Sequence, residues 1–305
     1  MKRIMLAAAL ALLGGTANAA TIGVSLAQDD NPFYIAMLRS INARAAELGY
    51  QVSVVQANED VAKQVNGVLD LVAKKVDAIL ISVIDEAAVC SAMDAAKKAN
   101  IPVIAIARGS KCPAQTLHLA MDEVQVGRDI AEWTAKKLNG QGKIAMIAGP
   151  AGAGTFINLA NGYQEVMKKH PGIQIVYKRE VPLTREAGLK QAEDVMVAQP
   201  DVAAIYAAND KVGLGAAQAV KAAGKGGKVL VTAMNGTPPG IRGVKSGDLA
   251  MTVEINPVAW GKLGVETADD LLKGKHHEQK VYITTQIVDA SNIDAAVAKL
   301  PPPPR

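Results

Sequence analysis

The sequence is poor in aromatic residues and in cysteine. Its 305 residues include two phenylalanines, two tryptophans, six tyrosines and two cysteines. So few cysteines exclude a disulfide-rich scaffold, and a net charge of +4 is too small to indicate a nucleic-acid binder. Because 50% of the residues are hydrophobic, the chain is not disordered and can bury large cores. Aromatic side chains usually dominate binding surfaces, so the positions of these few rings should be informative.

The first residues have the pattern of an export signal. Two basic residues precede the apolar run Ile4–Leu13, and Ala17-Asn18-Ala19 has the small-x-small form that signal peptidase accepts. The run is too short to span a bilayer, which needs roughly 20 residues, and no later run is long and apolar enough. We therefore expect residues 1–19 to be a signal peptide, cleaved near Ala19, and the mature protein to be periplasmic. The less favoured interpretation is a buried N-terminal helix.

Short β-branched runs alternate with longer helical patterns along the mature chain. Segments starting at Leu48 and at His170 both show a helix end, a strand, a polar loop, a helix and a strand. This repeat predicts two similar α/β lobes, each with a doubly wound parallel sheet. The predicted strands are Thr21–Ala27, Gln51–Gln56, Ala78–Ser82, Val103–Ala107, Lys143–Ala148, Ile173–Tyr177, Val202–Ala207 and Val229–Ala233. The predicted helices lie near Phe33–Leu48, Val61–Lys74, Ala87–Ala99, Leu159–Lys169, Glu186–Ala198 and Gly213–Ala223.

Polar side chains follow successive predicted strands, where open parallel sheets bind ligands. Amides, hydroxyls and one guanidinium suit a polyhydroxylated ligand, since each hydroxyl both donates and accepts a hydrogen bond. Each residue taken alone could equally be a turn former or a helix cap. The candidates at these strand ends are Asn31, Ser82, Arg108, Asn158, Asn209, Asn235 and Asn256.

Both phenylalanines, Phe33 and Phe156, fall in strand-end loops, one in each predicted lobe, and Tyr34 follows the first. An aromatic face can stack on the C–H face of a sugar ring. The alternative is that these rings pack into the core where a helix starts.

Three further patterns carry weaker signals. The loop 149–155 (GPAGAGT) lacks the spacing of a phosphate-binding motif, so we expect it to approach the ligand or the opposite lobe. Adjacent side chains diverge at His276-His277, so no metal site is predicted. No nucleophile–base pair has a convincing context, so neither an enzyme nor a cofactor is expected.

Cys90 and Cys112 should lie in loops that leave neighbouring strands and can meet. A disulfide between them is plausible in an oxidising compartment and would stabilise the protein by roughly 3 kcal/mol. Two reduced thiols are the equally weighted alternative.

Several stretches together resemble the periplasmic sugar-binding proteins of the ribose-binding type, the soluble receptors of ABC importers. They include TIGVSLAQDDNPFYIAML, AANDKVGLGAAQAVKAAG and MNGTPPGIRGVKSGDLAMTVEINP. The resemblance implies a monomer with two lobes that close on a small ligand and a membrane permease as partner. It also implies three hinge crossings, near Met121-Asp122, Ile255-Asn256 and Thr284-Thr285. The N-terminal lobe would then comprise 20–121 plus 256–284, and the C-terminal lobe 122–255 plus 285–305.

By the same resemblance, Asn31, Phe33, Tyr34, Arg108 and Asn209 match sugar-contacting positions, and Met234 and Asn235 occupy the place of a Phe-Asp pair. Other departures put ribose itself in doubt, because Ser82 replaces Asn and Ala107 replaces Asp. An Arg, a Phe and a Gln are likewise replaced at Leu159, Leu183 and Ile255. We expect another pentose or hexose, a polyol, or another small neutral or anionic metabolite.

Two other functions are compatible with these lobes. A receptor that presents its ligand to a sensor kinase or chemoreceptor would have the same fold. A ligand-regulated transcription factor shares the lobes, but the exported start and the lack of N-terminal DNA-binding helices disfavour it.

Overall fold

The computed structural model describes residues 19–300, which form two α/β lobes around two six-stranded sheets. The predicted signal peptide before Ala19 and the tail 301–305 lie outside the described residues. In the N-terminal lobe the sheet order is β11-β5-β4-β3-β1-β2, with every neighbouring pair parallel. Its elements are β1 (Thr21–Leu26), α1 (Pro32–Glu47), β2 (Gln51–Gln56), α2 (Val61–Ala73), β3 (Ala78–Ile81), α3 (Cys90–Lys98), β4 (Val103–Ile106), β5 (Leu117–Ala120), α9 (Pro257–Leu272) and β11 (Lys280–Tyr282).

The C-terminal lobe repeats this layout in the order β12-β10-β9-β8-β6-β7, with β12 as an antiparallel edge strand beside β10. Its elements are α4 (Glu123–Lys137), β6 (Gly142–Ala148), α5 (Gly154–Met167), β7 (Ile173–Glu180), α6 (Arg185–Ala198), β8 (Val202–Ala207), α7 (Asp210–Ala222), β9 (Leu230–Thr232), α8 (Pro238–Ser246), β10 (Met251–Ile255), β12 (Thr285–Asp289) and α10 (Ile293–Ala298).

Every strand and helix predicted above is present, with ends shifted by a few residues. All residues of β3 and β4 are buried, as expected for strands covered by helices on both faces. The predicted strands do not include β10, which lies between β9 and β12, or β5, β11 and β12, which are short edge or near-edge strands. The sequences of β11 (KVY) and β12 (TQIVD) contain no continuous apolar run, and most of their residues are partly exposed.

The chain passes between the two sheets three times, after β5, between β10 and α9, and between β11 and β12. These passages lie at the segments predicted as hinges, and the exact lobe boundaries stay a prediction. Within residues 19–300, no helix is long and apolar enough to cross a membrane.

Glycines let the helices of the C-terminal lobe pack at close range. A Cβ atom at Gly162 of α5 would lie 2.1 Å from the carbonyl oxygen of Val124 on α4, and one at Gly127 equally close to that of Leu159. Gly188 and Gly215 allow the same close contact between the backbones of α6 and α7. Two helix pairs of the C-terminal lobe are therefore held with their backbones in contact.

Gly162→Ala should destabilise the protein by about 1–3 kcal/mol, because the new methyl group overpacks this contact even though Ala favours a helix. Urea unfolding measures the loss. Gly226→Ala is the matched control, since nothing lies within 4 Å of the added atom. Equal stability of the two variants would contradict the close-packing argument.

Candidate functional site

The carboxyl ends of both sheets meet at a small cavity between the lobes, with a volume of about 30 Å³. That volume holds little more than water, so a ligand needs the lobes to separate or the side chains to move. The predicted residues that line this cavity are Asn31, Phe33, Tyr34, Arg108, Phe156, Asn209, Met234 and Asn235.

Two wider cavities, of about 400 and 680 Å³, adjoin the small one along the cleft. The first shares Asn31, Asn209 and Asn235 with the small cavity, and the second shares Leu183. Asp30 and Lys211 line both wide cavities and form an ion pair across the lobes at 2.9 Å. This size range suits a small ligand on its way in or out.

Arg108 is the one charged side chain that lines the small cavity among the described residues. Its Nη2 and Nη1 donate to the two carboxylate oxygens of Glu59, at 2.8 and 3.2 Å. The guanidinium also lies 5.1 Å from the ring centroid of Phe156, which belongs to the other lobe, and 5.8 Å from that of Tyr34. Its charge is therefore balanced before any ligand arrives.

The backbone is strained where this site is built. Apart from helix C-termini, the non-glycine residues with positive φ within 19–300 are Asn58, Glu59, Ala107 and Asn235, at 46°, 61°, 65° and 113°. All four lie just after strands, and the last three adjoin or line the small cavity. Such strain persists only where the surroundings enforce it, and it concentrates at binding sites.

A hydrogen bond with the buried side chain of His118 holds the turn at Ala107. The Nε2 atom of His118 lies 3.2 Å from the Ala107 carbonyl oxygen, and burial lowers the pKa of His118 to about 4. The neutral imidazole then donates through Nε2–H to that carbonyl, an assignment made from the hydrogen bond. His118 thus fixes the turn that presents Arg108.

Two of the predicted amides, Asn31 and Asn209, both line the cavity and cap helices, so they are site residues and helix caps at once. Asn31 Oδ1 accepts from the backbone N–H of Phe33 at 3.0 Å, and Asn209 Oδ1 accepts from that of Val212 at 2.9 Å. Because Oδ1 of Asn209 is used by the cap, its Nδ2 donor is the group left for a ligand.

The remaining predicted residues lie behind or beside the cavity. Ser82 is fully buried and hydrogen-bonds the Tyr34 hydroxyl at 2.9 Å, which holds that ring. Burial raises the pKa of Tyr34, so the phenol stays neutral. Asn158 is half-buried on α5, and Asn256 is exposed and caps α9; neither lines the cavity.

The site also contains residues that sequence reasoning missed. Trp260 lines the cavity, with its ring centroid 5.8 Å from that of Phe33. It sits in a helix rather than at a strand end, so the strand-end rule could not find it. Glu59 lies in a loop after β2 whose acidic residues resemble ordinary turn formers.

The glycine-rich loop contacts the opposite lobe, which is one of the two expectations for it. The backbone N–H of Glu86 donates to the carbonyl oxygen of Gly152 at 3.2 Å. A Cβ atom at Gly152 would lie 2.4 Å from the Asp85 carboxylate. A larger residue at this position would have to displace the Asp85 carboxylate, so glycine suits this close approach of the lobes.

Cys90 and Cys112 lie next to each other and are not bridged in the structure, with Cys112 Sγ 3.8 Å from the Cys90 carbonyl oxygen. Desolvation, and after it the interaction with the Cys112 side chain, raise the pKa of the Cys90 thiol to about 11. The disulfide stays a prediction. In the part of the chain that the structure describes, no cluster of His, Cys, Asp and Glu could hold a metal ion.

Asp210 is a buried carboxylate at the edge of the site. It accepts from the N–H and hydroxyl of Thr237, at 2.7 and 2.6 Å, and from the hydroxyl of Thr252 at 2.6 Å. Desolvation outweighs these hydrogen bonds and raises the pKa of Asp210 from 3.8 to about 6. The native state therefore holds a proton that the unfolded state has released at intermediate pH.

Since that pKa is raised on folding, the stabilisation by the protonated carboxyl is full below pH 3.8 and is lost as the pH rises through about 6. Asp210→Asn lacks this titration. The unfolding free energy of the wild type minus that of the variant should fall by roughly 2–3 kcal/mol over this interval. Denaturant unfolding at a series of pH values measures it, and a difference that does not change with pH would refute the assignment.

Comparison with known proteins agrees with this architecture. The profile of the periplasmic binding protein domain matches residues 22–276. The ribose import binding protein RbsB of Haemophilus influenzae is 32% identical over 268 residues, which are 88% of this chain and 91% of that protein.

Solved structures give the same result. An ABC transporter solute-binding protein from Bacillus halodurans with bound myo-inositol has a TM-score of 0.88 at 26% identity, covering 94% of this chain and 100% of that one. The fructose-binding periplasmic domain of a hybrid two-component system has a TM-score of 0.88 at 25% identity, covering 92% and 94%. The chain belongs to the periplasmic binding protein family, in its ribose-binding type.

Proposed function

We propose that this protein captures a small neutral sugar or polyol between its lobes and delivers it to an ABC importer. The proposal rests on one observation: side chains at the strand ends of both lobes line the same cavity. Asn31 and Arg108 come from the N-terminal lobe, and Asn209 and Asn235 from the C-terminal lobe. A ligand that touches both groups is bound more tightly by the closed arrangement and shifts the population toward it.

The charge balance of the site favours a neutral ligand over an anionic one. Arg108 already has a bidentate carboxylate partner in Glu59. A bound anion would therefore have to compete with Glu59 for the guanidinium or remain uncompensated in a buried place. Neutral hydroxyls can use the amide donors and acceptors without that cost.

Location and partners follow from the same role. We propose that residues 1–19 direct export, that the mature monomer works in the periplasm, and that its partner is the membrane permease of the importer. The lobe boundaries proposed are 121/122, 255/256 and 284/285, where the chain passes between the sheets. The role is binding rather than catalysis, in keeping with relatives that are binding proteins.

A sensory role is the second candidate. The match to the periplasmic domain of a hybrid two-component system indicates that this fold also serves signalling. Both roles require the same capture step, and they differ in the membrane protein that recognises the closed form. Co-purification with a permease or with a sensor separates them.

A thermal-shift screen of the purified protein tests the capture step. The panel comprises D-ribose, D-fructose, D-allose, xylitol and myo-inositol, with acetate and succinate as anionic comparisons. We expect at least one neutral compound to raise the melting temperature and the acids to have no effect, because binding to the native state alone adds to its stability. Stabilisation by the acids only would contradict a neutral ligand, and no stabilisation by any compound would reject the sugar or polyol proposal.

Asn209→Ser should weaken binding of the most stabilising compound about tenfold. Serine can still cap α7, but it is too short to replace the Nδ2 donor, and loss of one such bond is worth about 1–3 kcal/mol. Titration calorimetry measures the affinity, and thermal unfolding without ligand checks that the cap is kept. Unchanged affinity would remove Asn209 from the set of ligand contacts.

A further inference from the structure

Trp260 forms part of the wall of the small cavity, although it lies on a helix and not at a strand end. It is 1% exposed, and its ring meets that of Phe33 edge-on, with 82° between the ring planes. The residue is four positions beyond Asn256, which caps α9 at the hinge passage from β10. The ring thus belongs to the N-terminal lobe and borders the space between the lobes.

The indole N–H of Trp260 has no acceptor among residues 19–300, although the atom is fully buried. The indole N–H of the second tryptophan does have an acceptor, since Trp133 Nε1 donates to Asp289 Oδ2 at 2.8 Å. A buried tryptophan usually finds a partner for this donor, because a buried donor without one loses its hydrogen bond to water and gains none in return. Among the residues that line the cavity, Trp260 is the one with an unpaired buried side-chain donor within 19–300.

The backbone of α9 keeps this donor in place. A Cβ atom at Gly261, the next residue, would lie 2.5 Å from the carbonyl oxygen of Met37, so α9 rests directly on α1. The Phe33 ring, itself in contact with that of Tyr34 at 5.1 Å, supports the indole from the side. Moving the ring to reach a protein acceptor would disturb this packing.

We propose that Trp260 is a ligand-contacting residue that helps to set specificity, and that its indole N–H donates to an oxygen of the bound molecule. The inference rests on the proposed function, because it concerns the same cavity. Indole nitrogen is a donor only, so it requires an acceptor on the ligand. Leu183 and Ile255 also line this cavity and have no acceptor in their side chains, and the thioether of Met234 is only a weak one.

These features favour an oxygen that carries no hydrogen. A hydroxyl that accepts from Trp260 must still place its own proton, and two amide oxygens of the cavity, Oδ1 of Asn31 and of Asn209, already accept from helix N-termini. The ring oxygen of a cyclic sugar has no such proton. The preferred ligand class is therefore a cyclic hemiacetal sugar rather than a carbocyclic or open-chain polyol.

Calorimetry on matched variants tests the proposal with D-ribose, D-allose and myo-inositol as probes. Trp260→Phe keeps an aromatic ring and removes the donor, and Trp133→Phe is the control at the other tryptophan. For the sugar that binds the wild type, we expect Trp260→Phe to lower the binding affinity about tenfold. Trp133→Phe should bind the same sugar with unchanged affinity. Equal sugar affinity of Trp260→Phe and the wild type would overturn the proposal while the proposed function stands.

The other outcomes are also decisive. Myo-inositol has a six-membered ring without a ring oxygen. If the wild type binds it, Trp260→Phe should lower the affinity for myo-inositol less than it lowers the affinity for the sugar. An equal loss for both would overturn the ring-oxygen assignment. Binding of none of these probes and none of the screening panel to the wild type would reject the proposed function and this inference with it.

Nitrogen-15 NMR of the wild type gives a second readout that does not depend on a variant folding. The chain has two tryptophans, so the indole region contains two N–H signals, which the variants assign. Saturation with the bound sugar should shift the Trp260 signal strongly and leave that of Trp133 in place. A Trp260 signal that stays unchanged while the sugar binds would overturn the contact.

Discussion

The site depends on one constraint, which is that the parallel strands of both sheets direct their carboxyl ends toward the same cleft. Every strand that ends there delivers the next few residues to the space between the lobes. Asn31 follows β1, Arg108 follows β4, Asn209 follows β8 and Asn235 follows β9. The three passages between the sheets connect the two lobes, and each lobe keeps its own six-stranded sheet. The architecture therefore gathers a binding site from residues that are far apart in the chain.

Within this frame, the pair of Arg108 and Glu59 determines the chemistry of the cavity. A buried guanidinium without a partner would attract anions, whereas the bidentate carboxylate makes the site neutral. The pair requires backbone strain, because Glu59 and Ala107 both adopt positive φ. Phe156 of the opposite lobe covers the Arg108 guanidinium. Arg108 therefore both pairs with Glu59 and contacts the other lobe. The scarcity of aromatic residues thus reflects concentration, with Phe33, Tyr34, Phe156 and Trp260 all lining one cavity.

The sequence was sufficient to predict the two lobes, most strands and helices, and the strand-end members of the site. These follow from local patterns, namely apolar runs with period two or 3.6 and polar residues just after them. Trp260 and Glu59 could not be found in this way. Their roles depend on how α9 packs against α1 and on a strained loop after β2, which are long-range and conformational features. Asn158 and Asn256 show the converse, since a polar residue near a strand end can instead lie on a helix face or cap a helix.

A crystal structure of the protein bound to the most stabilising compound of the panel would show whether the lobes capture a ligand between them. We expect density for the compound between the lobes, in contact with Arg108 on one side and with Asn209 or Asn235 on the other. Density on the outer surface of either lobe, or contacts confined to one lobe, would contradict capture by closure.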